Sequence, residues 1–223
     1  TIETTRTGTL GPDATVTGTD PSWKSEVSCV IGRCLQFTAS SSQYVNVSGS
    51  VAGIKAVSFW VKPTTTTTSL VVLNGAAGNA SISVSAGTIS AGAGFSSPTI
   101  YVDGVQSTTL VANTWQLVTV TTSSGITASN VMIGRVNTGY FDGFVDEFRL
   151  FGSALSASQI KSIYASAMAA QATVKGSSVN FGAPDDRAGQ LTNGLVGWWK
   201  MDESSGNAAD SSGNATTLTN TAV

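Results

Sequence analysis

Short runs of apolar and β-branched residues, separated by glycine, serine, threonine and asparagine, recur along most of the chain. Runs of this length and composition mark strands rather than helices. They predict strands at Ser28–Phe37, Tyr44–Val47, Ala56–Lys62, Ser69–Leu73, Ala80–Ser85 and Thr88–Ala93. Further strands are predicted at Thr99–Val102, Val105–Thr109, Trp115–Thr122, Val131–Arg135 and Phe144–Phe151. Asp103-Gly104 lies between two of these runs and reads as a tight hairpin, because glycine accepts a positive φ. Residues 1–22 are polar and Thr-rich and read as a loosely held lead-in strand and loop. The period changes at Ser156, where Ile160, Ile163, Tyr164 and Ala167 form a helical stripe. Ser156 and Gln159 have the spacing of a capping box, and the helix fades near Ala170. A last strand is predicted at Gly194–Met201, ahead of a polar tail. The expected organisation is a sandwich domain over 1–170, a linker over 171–193, and a C-terminal strand and tail over 194–223 that complete a sandwich. Many short strands with one short helix near 156–170 predict an all-β fold of two packed antiparallel sheets.

Composition narrows the function classes. Apolar residues make up 41% of the 223 positions, enough for a substantial core, and charged residues only 11%. Solubility then comes from hydroxyls and amides, the surface of an extracellular or cell-surface protein. A net charge of −2 without a basic stretch gives nucleic acid no electrostatic foothold. No apolar run is long enough for a membrane span. No signal-type segment opens the sequence, which reads as a mature form or an excised segment. Cys29 and Cys34 are the two cysteines, and no histidine exists to complete a zinc site with them. They read as a disulfide stapling the ends of a hairpin, which suits an oxidising compartment; two buried free thiols are the alternative.

Several segments resemble, in order, the laminin-G-like repeats of the concanavalin-A-like family. Cys34–Val47 is similar to their paired strands "AL-F-G-YV-V", and Ala56–Pro63 to "FT-S-WVKP". Tyr101–Gly104, Asn113–Trp115 and Ile133–Arg135 match later landmarks. Phe141–Phe151 with Ala154–Ala157 resembles the closing "F-G-IDEVRIY-RALS". The resemblance covers roughly residues 20–165 and implies a two-sheet jelly roll of secreted or surface proteins. Leu195–Asn214 resembles the family's opening strand, displaced here to the C-terminal side of everything it normally precedes. A sheet lacking that strand leaves buried backbone groups unpaired, at roughly 1–3 kcal/mol each. Three solutions are open: the strand folds back in cis, it belongs to a tandem array, or it completes a neighbouring copy. The expectation adopted is the last, a donor-type strand with Leu195, Gly197, Trp199 and Met201 on one face, Trp198 on the other, inserted beside the Val145–Phe151 strand.

Candidate chemistry is sparse. Histidine-dependent triads are excluded, and Asp146 and Glu147, being adjacent in a strand, are expected to point to opposite faces. No enzymatic activity is therefore expected. The set Phe144, Asp146, Phe148 and Leu150 is expected on one face, which puts a carboxylate among apolar neighbours and calls for a cation, an arginine or several backbone N–H donors. In the tail Asp202, Asp210 and Asn214 supply hard oxygen ligands, and Asp146, Asp210 and Asn214 are the candidate set for one structural Ca²⁺; capping of turns is the competing role. A glycan site would need exposed aromatics; Trp60 and Trp115 are expected in the core, and one of Trp198 and Trp199 at a rim. The expected function is a structural subunit of an extracellular filament or surface stalk, with copies of itself as partners. The alternative is a carbohydrate-binding or adhesion module of a larger surface protein.

Overall fold

The computed structural model describes residues 14–17, 22–24, 28–75, 78–174, 195–200, 202 and 209–212. The strands are β1 (Ala14–Thr17), β2 (Ser22–Lys24), β3 (Cys34–Phe37), β4 (Tyr44–Pro63), β5 (Thr68–Val72), β6 (Ser81–Ser85) and β7 (Thr88–Ala91). They continue as β8 (Thr99–Val102), β9 (Val105–Gln106), β10 (Gln116–Ile133), β11 (Arg135–Val136), β12 (Gly139–Tyr140) and β13 (Gly143–Phe151). The helix α1 (Ala157–Val174) and the strand β14 (Leu195–Trp199) follow. The fold is an all-β sandwich with one helix, as the apolar pattern predicts.

Two long strands build both layers. The second half of β4 pairs with β13 and with the first half of β10, which also pairs with β8. The first half of β4 pairs with β1 and with the second half of β10, which leads on to β5, β6 and β7. Each of these strands unites two runs that the sequence pattern separates. The polar, glycine-containing stretches between the runs carry register shifts, between Thr121 and Ile126 for example, instead of ending the strand. Backbone pairing continues through a bulge even where the side chains break the apolar pattern.

The core between the layers is built from β-branched and aromatic side chains of both, including Phe37, Val57, Phe59, Val118 and Phe148 from one and Val45, Val71, Ile82 and Ile133 from the other. A second cluster lies on the outer face of the first layer, where Ile160, Ile163 and Ala167 of α1 cover Ala56, Trp60, Leu117 and Phe151. The capping box forms as expected: the backbone N–H of Ser156 donates to Gln159 Oε1 at 2.9 Å and that of Gln159 to Ser156 Oγ at 3.3 Å. The helix then runs to Val174, past the expected fade at Ala170 and into the expected linker. The Asp103-Gly104 turn also forms, with φ of +53° and +80° between β8 and β9.

The disulfide joins Cys29 and Cys34, with the Cα atoms 5.4 Å apart. It does not staple a hairpin, and the strand predicted from Ser28 begins only at Cys34. Residues 28–33 form a looped turn, and β3 pairs with β13 on one side and with β2 on the other, where Lys24 lies opposite Cys34. Among the described residues no helix is long and apolar enough to cross a membrane.

Candidate strand-docking site

The strand β13 lies at the centre of the first layer, with β4 along one side and β3 and β14 end to end along the other. It does not alternate as the sequence suggests. Asp146 sits opposite Trp60 and Arg149 opposite Ser58, so β13 carries one residue more than β4 between these pairs. Glu147 occupies the bulge at a φ of +52°. The extra residue inverts the facing of everything after it. Val145, Phe148 and Leu150 all enter the inter-sheet core, while Asp146, paired with Trp60, lies under the outer cover. The expected single face of Phe144, Asp146, Phe148 and Leu150 is thus split in two.

The bulge also buries both carboxylates, Asp146 at 0% exposure and Glu147 at 1%. Asp146 Oδ2 accepts hydrogen bonds from the backbone N–H groups of Val30 (3.0 Å) and Ile31 (3.1 Å), which fixes the disulfide loop onto the sheet. Glu147 Oε2 accepts from Trp198 Nε1 at 2.6 Å and pairs with the Arg149 guanidinium. The second oxygens, Asp146 Oδ1 and Glu147 Oε1, are buried without a hydrogen-bond partner. Burial pushes the Asp146 carboxyl well above the usual range, and the neighbouring Glu147 charge pushes it the same way. Burial raises Glu147 as well, against the opposing pull of Arg149 and the Trp198 hydrogen bond.

Against this strand docks β14, antiparallel, with Trp199 opposite Phe148, Trp198 opposite Arg149 and Gly197 opposite Leu150. Trp199 is 2% exposed, and its ring lies 6.3 Å from that of Phe148 in the inter-sheet core. Gly197 makes room for it: a Cβ there would stand 2.6 Å from the indole. On the opposite face Trp198 lies between the Arg149 guanidinium (4.6 Å to the ring) and the Lys200 ammonium (4.7 Å). The expected common face of Leu195, Gly197 and Trp199 does not hold. A register shift between Leu150 and Phe151 turns Leu195 into the helix-side cluster, and Met201 lies outside the described residues. In this single chain the strand therefore docks antiparallel on its own β13.

Asp210 closes the docked strand. Its Oδ1 accepts from the backbone N–H groups of Trp198 (3.0 Å) and Ser212 (2.7 Å), and its Oδ2 accepts from Ser212 Oγ at 2.8 Å. Compared with known proteins, the chain matches no family model, no curated protein and no solved structure. Of the candidate calcium set, Asp146 and Asp210 both cap backbone N–H groups, and Asn214 lies outside the described residues. Among the described residues no three acidic, cysteine or histidine side chains converge as a metal would need. Asp146 Oδ1 is left without a hydrogen-bond partner.

Two contributors escape the sequence reading: Glu147 and Arg149 hold Trp198. Asp202, read from the sequence as an oxygen ligand, instead accepts the Arg33 backbone N–H through Oδ1 at 2.7 Å, tying the segment after β14 to the disulfide loop. A bulge has no reliable sequence signature in this strand, since the αL position is filled by glutamate rather than glycine. Trp115, expected in the core, is only partly buried.

Proposed function

We propose that the chain is a secreted structural subunit, a concanavalin-A-like jelly roll that assembles head to tail when β14 docks on β13 of a neighbouring copy. One observation carries this reading. The strand is seated by Trp199 and Trp198 on β13 and lies twenty residues, 175–194, beyond the end of α1. Twenty residues reach up to about 70 Å, beyond the roughly 45 Å width of a domain of this size. An identical strand from another copy retains every contact that the strand makes at home. The open head-to-tail operator then propagates into a filament. The disulfide and the low charge support an extracellular or cell-surface location. No catalytic role is proposed.

The test is the state of assembly. Light scattering and electron microscopy of the purified full chain are expected to show oligomers or filaments. A variant ending after Gly189 is expected to be monomeric, less stable, and rescued by a synthetic 190–216 peptide. A full chain that stays monomeric at high concentration, with Trp199 buried on its own Phe148, overturns assembly in trans and leaves β14 as a cis closing strand.

A further inference from the structure

The second layer carries a small cavity on its outer face. Val71 and Ile133 lie opposite each other on β5 and β10 and enter the inter-sheet core. Their neighbours Val72 and Met132, also opposite each other, therefore face outward. Around them is a cavity of about 140 Å³, lined by Val72, Met132, Arg135, Asn137, and Gly75 and Gly78 from the segment between β5 and β6. Glycine lets that segment close on β10. A Cβ at Gly75 would stand 2.5 Å from the Asn130 carbonyl oxygen and 2.9 Å from Met132 Cε. The Gly75 N–H donates to the Ser129 carbonyl at 2.9 Å and the Gly78 N–H to the Asn74 carbonyl at 2.7 Å, which fixes this wall. Met132 and Arg135 are partly exposed and Asn137 is exposed, so solvent reaches the cavity.

Arg135 gives the cavity its chemistry. It lies opposite Tyr140 in the β11–β12 pair, and its guanidinium carbon stands 4.9 Å from the centre of the Tyr44 ring and 5.5 Å from that of Tyr140. Both rings attract the cation, and Arg135 Nε donates to the Asn137 carbonyl at 2.9 Å. The guanidinium is thus held in place with its Nη groups left over, and among the described residues Arg135 joins no ion pair. No acidic side chain is among the residues that line the cavity. A positioned guanidinium is a planar fork that matches a carboxylate through two parallel N–H···O bonds. Beside it Val72 and Met132 form an apolar seat, the usual companion of one such polar anchor in a small-molecule site. An apolar cavity of about 150 Å³ takes a benzene ring. This one therefore has room for a carboxylate and a branched group of about four carbons.

We propose that the cavity binds a carboxylate carried on a short branched aliphatic group, with Arg135 as the bidentate contact and Val72 and Met132 as the seat of the apolar group. That chemistry is shared by free short-chain acids and by the C-terminal residue of a peptide ending in valine or leucine. The cavity is in the second layer and β14 docks in the first, so the proposal does not depend on strand exchange.

The full chain is titrated with isovalerate, with its neutral analogue isovaleramide, with a short peptide ending in valine as the free acid and as the amide, and with inorganic phosphate. Calorimetry and the NMR shift of the Arg135 Nε–H follow binding. Saturable binding of isovalerate, of the peptide acid or of both is expected, at about millimolar affinity for so few atoms, and the tighter of the two identifies the source. Neither amide is expected to bind. Arg135→Lys keeps the charge but loses the fork, and is expected to weaken binding about tenfold. Met132→Phe, which fills the cavity and leaves the guanidinium, is expected to weaken it to a similar degree. Lys161→Gln, on the exposed side of α1, is expected to change nothing. Melting curves report the folding of each variant, and the comparison of acid with amide uses the unaltered chain, so it holds even if a variant fails to fold. Absent binding of both acids, equal binding of an acid and its amide, tighter binding of phosphate than of either acid, or full affinity in a folded Arg135→Lys variant each overturns the proposal.

Discussion

Asp146 and Glu147 show how one backbone residue can reverse a chemical expectation. Adjacent strand residues ordinarily face apart, so one of the two should be solvated. The bulge buries both, and among the described residues Arg149 forms an ion pair with Glu147 but none is formed by Asp146. Their folded-state carboxyls are raised above the ordinary 3.8 and 4.5, so the folded chain holds protons more tightly than the unfolded one. Their contribution to stability is therefore most favourable in acid and is lost as pH rises through the raised values. In calcium-free buffer the melting temperature is expected to increase on mild acidification from neutral pH. Asp146→Asn is expected to flatten that dependence while preserving an acceptor for Val30 and Ile31; a melting temperature that falls from neutral pH downward contradicts this. The same residue tests calcium. If a cation takes Asp146 Oδ1, EDTA lowers the melting temperature and calcium restores it, whereas an indifferent curve leaves Asp146 and Asp210 as caps.

At the level of elements, β14 depends on one large side chain more than on its ladder. Trp199→Ala is expected to destabilise the chain by about 3–5 kcal/mol, the range for a buried aromatic truncated in a core, and to release β14. Hydrogen exchange at Leu195–Trp199, faster than at Val118–Val120, checks it. The disulfide loop is a smaller device. Closing so short a loop is worth about 2 kcal/mol by chain entropy, so the Cys29→Ala/Cys34→Ala variant is expected to melt earlier yet fold. Denaturant melts of oxidised, reduced and substituted chains measure the difference. Helix α1 rests on its cap as well as its stripe, and Ser156→Ala is expected to cost about 1 kcal/mol.

For the whole molecule, the long strands β4 and β10 matter most. They pass through both layers, so the sandwich cannot separate into sheets without breaking continuous backbone ladders. β14 carries no such continuity and is the element that the proposed assembly exchanges. The sandwich is therefore expected to remain folded, though weakened, when β14 is absent. Circular dichroism of the chain ending after Gly189 tests that point apart from any assembly measurement. A random-coil spectrum would show that β14 is integral to the fold rather than a docked piece.

The sequence by itself determined what local chemistry controls. Alternation and β-branching located nearly every strand, the Ser156 and Gln159 pair located the helix start, and the spacing of Cys29 and Cys34 pointed to their pairing. Hydrophobic periodicity and hydrogen-bonding turns act over a few residues, so they are written locally. Tertiary structure decided the rest. It joined separate apolar runs into β4 and β10, because pairing with a partner strand carries the backbone across polar stretches. It also set which way Asp146, Phe148 and Leu195 face, because the facing of a strand inverts at a bulge whose position depends on the register of its neighbour.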